Sequence, residues 1–305
     1  MKTVLVTGSN GLLGQKITEQ VLQDNQINLI ASNRGNNRFP KKLGYTYVEM
    51  DICNAAQVEA VIAQYQPDVL IHTVAITNVD VCHQNPELCE QINVTATGTL
   101  VKLCERFGCQ LIYISTDFVF DGLDGPYDEN ARCNPVSIYG HSKRKAEELV
   151  QKMQGKWAIV RTILVYGILK DMSRSNIVLW VKNALSQQQS IKVVNDQWRM
   201  PTLAEDLAWA CLRIAELEAE GIFHISGKDM MSVSDIAYRV ADFWSLDKSL
   251  LSEISSNSLA QAAKRPQKTG FVLDKAIQVL NYQAHSFEEG LARLDQQLYE
   301  YQKSL

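Results

Sequence analysis

The chain has 305 residues, 30 of them Lys or Arg against 34 Asp or Glu, for a formal net charge of −4, with 46% hydrophobic and 21% charged residues. That balance argues against a disordered chain and, with no long basic run, against a nucleic-acid-binding surface. No stretch reaches the ~18 consecutive apolar residues of a membrane span. Residues 1–8 lead into a strand pattern without a charged n-region, h-region and cleavage site, so no secretory signal is expected, and the seven cysteines form no CxxC pair. A reduced, cytoplasmic setting is therefore expected, with neither a disulfide framework nor a dedicated metal site.

In chain order, short apolar runs without strict alternation lie at 3–7, 28–32, 45–49, 69–73, 110–115 and 158–162. Such runs read as strands buried on both faces. Helical patterns fall between them at 12–22, 56–65, 86–107 and 137–153. This alternation predicts an α/β fold, a doubly wound parallel sheet of the Rossmann type. Beyond residue 162 the rhythm loosens, with helices expected at 176–185, 203–218, 233–244 and 287–302 and short strands at 191–194 and 222–225. We expect a dinucleotide-binding domain over 1–165, with a return around 202–226. A smaller α/β C-terminal substrate-binding domain would comprise 166–201 and 227–305.

The first strand feeds the turn Gly8-Ser9-Asn10-Gly11-Leu12-Leu13-Gly14, which opens a helix. That context is the one a dinucleotide fingerprint requires, although the spacing is GxxGxxG rather than GxGxxG. Gly8 permits the tight turn, Gly11 lets backbone approach a pyrophosphate, and Gly14 allows close packing of helix on strand. The helix N-terminus offers unpaired N–H groups and the positive dipole end to the phosphates. After the second strand comes Asn33-Arg34-Gly35-Asn36-Asn37-Arg38, with no acid to bond a ribose 2′-hydroxyl and two arginines to meet a 2′-phosphate. NADPH is expected, with NADH as the alternative and Arg34 and Arg38 as the selecting residues. Asp51-Ile52 is placed to flank an adenine, and Asp51 equally to cap the next helix.

The fifth strand ends in Ser115-Thr116-Asp117, and the helix at 137–153 carries Tyr139-Gly140-His141-Ser142-Lys143. Positions i and i+4 share a helix face, so Tyr139 and Lys143 lie side by side. A phenol of pKa ~10 is a poor acid–base group at neutral pH, and a neighbouring ammonium is expected to lower it. A hydroxyl from Thr116 or Ser115 could meet a substrate carbonyl. His72 and His224 read as core histidines, and Cys82, Cys89, Cys104 and Cys109 as buried thiols.

The glycine turn together with Tyr139 and Lys143 resembles the extended short-chain dehydrogenase/reductase superfamily. Within it, Ser115-Thr116-Asp117-Phe118-Val119-Phe120-Asp121-Gly122, Pro126-Tyr127, Asp196-Gln197, Pro201-Thr202 and Arg265-Pro266 resemble the dTDP-4-dehydrorhamnose reductase family. The resemblance implies reduction of the 4-keto group of a nucleotide-activated deoxysugar. Tyr139 would give the proton, Lys143 would bind the nicotinamide ribose, and Thr116 would be the catalytic hydroxyl. It further implies that Ala75 packs by the cofactor's central ribose and that Arg199 and Arg265 bind the substrate diphosphate, a pairing that suits planar guanidiniums. Such relatives often pair through the helices that correspond to 86–107 and 137–153, so the resemblance implies a homodimer as one expectation.

Two positions depart from the reductases: Leu164 stands where they usually carry Trp, and Trp198-Arg199 where smaller residues are usual. The chain is similar here to the regulatory beta subunit of methionine adenosyltransferase. A cofactor-binding regulatory protein without turnover therefore stands beside a second enzyme reading, another nucleotide-sugar reductase or epimerase.

Overall fold

The computed structural model describes residues 1–24, 26–170, 175–258 and 263–303. Its first half runs β1 (Lys2–Thr7), α1 (Leu12–Asp24), β2 (Ile27–Asn33), β3 (Thr46–Glu49), α2 (Ala55–Tyr65) and β4 (Val69–His72). Then come α3 (Val79–Gln84), α4 (Pro86–Glu90), a π-helical turn (Gln91–Thr95), α5 (Ala96–Phe107), β5 (Gln110–Thr116), α6 (Ile138–Gln151) and β6 (Trp157–Thr162). The second half supplies β7 (Val165–Tyr166), α7 (Ile177–Ser186), β8 (Ile191–Val194), β9 (Trp198–Arg199), β10 (Thr202–Leu203), α8 (Ala204–Leu217) and β11 (Gly221–Ile225). It closes with β12 (Met231–Ser232), α9 (Val233–Phe243), β13 (Leu251–Ile254), α10 (Asp274–Leu280) and α11 (Phe287–Lys303).

Seven strands form one sheet in the order β3-β2-β1-β4-β5-β6-β11, every neighbouring pair parallel. It is the doubly wound Rossmann-type sheet that the alternation predicts. Chain order reverses between β1 and β4, the switch point at which such sheets open a crevice beyond their strand ends. Alternate residues of the strands bury on opposite faces. Val4, Val6 and Ile71 pack with Ile17 and Val21 of α1 and Leu207, Cys211 and Ile214 of α8. Leu5, Leu70 and Leu111 pack with Val58 and Ile62 of α2, Leu100 of α5 and Val150 of α6. A separate core unites α7, α9 and α11 through Val181, Leu185, Ile236, Val240, Leu291 and Leu294.

The sheet's edge strand β11 comes from beyond residue 200, registered Ile222 on Ile159. One expectation is amended: Ala276, Leu280 and Tyr282 bury in the sheet's own core, on the side of α8, so not everything after 227 belongs to the smaller core. Another is corrected in detail. The helix expected over 86–107 is broken by the π-helical turn, which swings Asn93 inward to donate to Ser142 Oγ (3.0 Å) and the Ile76 carbonyl (3.1 Å). Inserting one residue satisfies those buried groups, as π-bulges do. Helix starts follow side-chain caps: Asn54 on α2, Ser137 on α6 and Asn176 on α7. Asn54, not Asp51, accepts the Gln57 N–H at the start of α2, and this removes the capping role considered for Asp51. Among the described residues no helix is long and apolar enough to cross a membrane, and no cluster of three or more His, Cys, Asp or Glu could hold a metal ion.

Candidate active site

The turn after β1 is built by close approach. Gly8 sits at φ +75°, and a Cβ there would meet Thr73 Oγ1 at 2.6 Å. A Cβ on Gly14 would lie 2.5 Å from the Gly8 carbonyl oxygen and from Ser9 Cα, so only glycine lets α1 start this close to the strand. Ser9 Oγ is buried without a hydrogen-bond partner, and an unsatisfied buried hydroxyl of this kind suits a ligand rich in acceptors. The turn thus fits a dinucleotide pyrophosphate.

Asn10 ties the turn to the loop after β2, donating to the Asn36 carbonyl (2.9 Å) and accepting the Arg38 N–H (2.9 Å). A cavity of about 450 Å³ lies between them, lined by Gly8, Asn10, Arg34, Arg38, Asp51 and Ile52 among others. All four residues expected at the adenosine half share this cavity. Arg34 is 82% exposed with Asp51 4.0 Å away, while Arg38 Nη2 donates to the Asn10 carbonyl (3.1 Å).

A second cavity of about 520 Å³ adjoins α1's first turn, lined by Gly11, Leu12, Leu13 and Ala75 together with Thr116, Tyr139, Lys143, Arg199 and Arg265. The sheet's strand ends and the smaller core's loops converge here. Ser115 and Thr116 separate clearly. Ser115 donates to Glu147 Oε1 (2.6 Å), whereas Thr116 bonds to its neighbours Asp117 and Phe118. Tyr139 is buried, with the Phe118 ring edge-on at 5.6 Å. Lys143 Nζ donates to the Ile114 carbonyl (2.7 Å) and lies 4.1 Å from the Tyr113 ring. Burial pulls its pKa down to about 7.

The expected lowering of the Tyr139 pKa is not what the chain alone produces. Burial raises it, the nearby Asp117 carboxylate adds to the rise, and only the Thr116 hydroxyl opposes. Lys143, whose Nζ donates to the Ile114 carbonyl, weighs less on Tyr139 than these. The two arginines differ as well. Arg199 is buried, donating to the carbonyls of Trp198 (2.7 Å), Gln267 (3.1 Å) and Pro266 (2.9 Å). It therefore holds the loop that carries Arg265. Arg265 pairs with Asp80 (2.6 Å) and remains partly exposed at the cleft.

Among the cleft residues that the sequence reading does not assign to the site are Asp117 and Gln197. Asp117 lies 2% exposed below Thr116. Gln197 lines the cleft nine-tenths buried, and a sequence signal for it existed only as part of the Asp196-Gln197 pair. His141 is exposed. Burial holds the His72 pKa down near 3 and also lowers that of His224, so both are neutral core residues. Cys82, Cys89, Cys104 and Cys109 are buried free thiols.

Residues 1–300 match the family described as RmlD substrate binding domain. The chain belongs to this family. Bovine (Bos taurus) methionine adenosyltransferase 2 subunit beta is 31% identical over 271 residues, 87% of this chain and 79% of that protein. The probable low-salt glycan biosynthesis reductase Agl14 of Haloferax volcanii is 28% identical over 292 residues, 95% of this chain and 96% of that one. The crystal structure of a dTDP-4-dehydrorhamnose reductase from Bacillus anthracis, in complex with NADP, superposes with a TM-score of 0.83 at 27% identity, covering 97% of this chain and 99% of that one. The RmlD-type, short-chain dehydrogenase/reductase architecture is thus shared over the whole length. Within this family frame Leu164 takes a positive φ of 40° and lines the cleft, an aliphatic surface at the position the resemblance assigns to Trp.

Proposed function

We propose that the chain is an NADPH-dependent reductase of the 4-keto group of a nucleotide-activated deoxysugar, of the dTDP-4-dehydrorhamnose to dTDP-rhamnose type. The observation that carries this reading is the convergence of Thr116, Tyr139 and Lys143 with the glycine turn and Arg265 on one cleft. The NADP-bound B. anthracis reductase supports the cofactor assignment.

When bound, the nicotinamide supplies hydride to C4. The backbone of Gly8 to Gly14 holds the pyrophosphate by N–H groups at the start of α1. Arg34 and Arg38 would hold the 2′-phosphate, and Asp51, Ile52 and Ala75 would line the adenosine half and central ribose of the bound cofactor. Tyr139 donates its proton to the C4 oxygen; burial holds the phenol protonated and makes it a weaker acid, so the developing phenolate needs the support of Lys143. Lys143, when charged, would bind the nicotinamide ribose hydroxyls and stabilise the phenolate left on Tyr139. Arg265 meets the substrate diphosphate, and Arg199 keeps its loop in place.

The test is NADPH oxidation at 340 nm with dTDP-4-dehydro-6-deoxy-L-mannose formed in situ from dTDP-glucose. Tyr139→Phe should lower turnover by about 10³-fold or more with NADPH affinity kept within about twofold. Full activity in that variant rejects Tyr139 as proton donor. The double variant Arg34→Ala/Arg38→Ala should weaken NADPH binding by about tenfold, roughly the worth of a charge-assisted hydrogen bond, and leave NADH binding unchanged. Wild-type protein that binds NADH as tightly as NADPH removes the role given to both arginines.

A second reading, a cofactor-binding regulatory protein, is favoured by the 31% identity to methionine adenosyltransferase 2 subunit beta and by Leu164. Tight NADPH binding without turnover on any nucleotide sugar would select it. Pairing through α4, α5 and α6 as a homodimer belongs to either reading, and sedimentation velocity tests it.

A further inference from the structure

A threonine hydroxyl has one proton to give and two lone pairs to offer. At Thr116 the proton goes to Asp117 Oδ1 (3.0 Å), and one lone pair takes the Phe118 N–H (3.2 Å). What remains is a lone pair on the cleft side, where the Tyr139 hydroxyl is its nearest partner. In that state Thr116 accepts from a phenol or an alcohol and cannot donate to a ketone oxygen. Reduction starts from a ketone, so the bonding of Asp117 decides whether Thr116 can help.

Asp117 is enclosed by groups from four directions. Its Oδ2 accepts from Thr269 Oγ1 (2.5 Å) and faces Arg199 Nε of β9 at 4.0 Å. Thr116 lies on the β5 side, and Tyr139 of α6 is the other titratable neighbour. Burial pushes the carboxyl above the usual carboxylate range, against the opposing pull of Arg199 and the two hydroxyls. Once protonated on Oδ1, the carboxyl would donate to Thr116. Both lone pairs would then be occupied and the hydroxyl proton released toward the cleft.

We propose that Asp117 is a positioning residue acting through Thr116: ionised, it presents Thr116 to the cleft as an acceptor matched to an alcohol, and protonated, as a donor matched to a ketone. The inference rests on the reductase reading for what lies in the cleft, but the sense of the hydroxyl is measurable without turnover. Arg199 and Thr269 stand on segments of the second half of the chain, so displacement of either would change the ionisation of Asp117 and, through it, Thr116.

The deciding measurement follows the ¹³C carboxyl shift of Asp117 with pH, its signal identified by loss in Asp117→Asn. Thr116→Val keeps the side chain's shape and removes the donated hydrogen bond, so the Asp117 midpoint should rise by about one unit or more. An unchanged midpoint overturns the inference. With the active enzyme, lowering the pH through that midpoint should favour ketone reduction and suppress alcohol oxidation. Asp117→Asn, whose carboxamide can donate to Thr116 as the protonated acid would, should remove this opposed pH dependence, keep ketone reduction and lower alcohol oxidation by about tenfold or more, with KM for NADPH within about twofold. Wild-type pH limbs in Asp117→Asn also overturn it. A wild-type protein silent on every nucleotide sugar defeats the reductase reading, and the carboxyl titration alone then decides the Asp117–Thr116 link.

Discussion

Lys143 shows how much burial alters a residue whose place is easy to foresee. Its spacing from Tyr139 sets both on one face of α6, and the sequence says as much. The sequence does not say that Nζ turns to the Ile114 carbonyl, because that depends on how deeply β5 and α6 pack together. With its folded pKa near 7 below an unfolded value of ~10.4, Lys143 binds fewer protons folded than unfolded between those limits. Stability should therefore rise with pH through that window, and the penalty for burying the ammonium is largest below pH 7. Lys143→Met should stabilise the cofactor-free protein at pH 6 by on the order of 2 kcal/mol, after loss of the carbonyl bond and the Tyr113 ring contact. The gain should shrink toward pH 10. Urea midpoints at the two pH values check this, and a variant destabilised equally at both would contradict it. The same substitution should abolish turnover, which would make the buried lysine a feature kept for function at the expense of stability.

Helix α6 is held to the sheet one turn beyond that lysine. Glu147 is fully buried and takes both Nε and Nη2 of Arg161 on β6 at 2.8 Å, as well as the Ser115 hydroxyl of β5. This clamp fixes the helix bearing Tyr139 and Lys143 against the strand that ends in Thr116. Glu147→Ala leaves Arg161 charged and unpaired in the interior, so a loss of about 3–5 kcal/mol is expected in denaturant unfolding. A loss below about 1 kcal/mol would mean that Arg161 finds water or another acceptor. The long elements around this clamp were legible in advance, because continuous apolar runs mark strands covered on both faces and amphipathic spacing marks the helices between. The short ones were not. Helices α3 and α10 span under two turns, too few residues for a period to show, and the π-helical turn at Gln91–Thr95 leaves the pattern before and after it intact. What locates that turn is the buried hydrogen bonding of Asn93, which is settled only by tertiary contact.

At the scale of the molecule, the chain leaves the sheet after β6, builds part of the smaller core, and returns. The apolar run at 222–225 marks a strand in the sequence, and right-handed parallel crossover makes an edge position natural for it, but its pairing with β6 is a tertiary fact, found in the fold together with α8 packed on α1. Ala208, Cys211 and Ile214 of α8, with Ala276 and Leu280 of α10, then cover the face formed by Ile17, Val21 and Val160. The part of this sheet face that α1 leaves open is thus closed by residues more than forty positions beyond β6. A fragment of residues 1–165 would keep the glycine turn, Thr116, Tyr139 and Lys143, yet would expose that face and leave β6 as a bare edge. An apolar face and an unpaired hydrophobic edge together favour association over folding. The fragment should aggregate or melt without a cooperative transition and should bind NADPH at least about tenfold more weakly than the full chain. Circular dichroism melting and cofactor titration of both proteins test this. A monomeric fragment with a sharp melt and full NADPH affinity would show that the sheet's core is complete without α8, β11 and α10, and that the return serves only to shape the cleft.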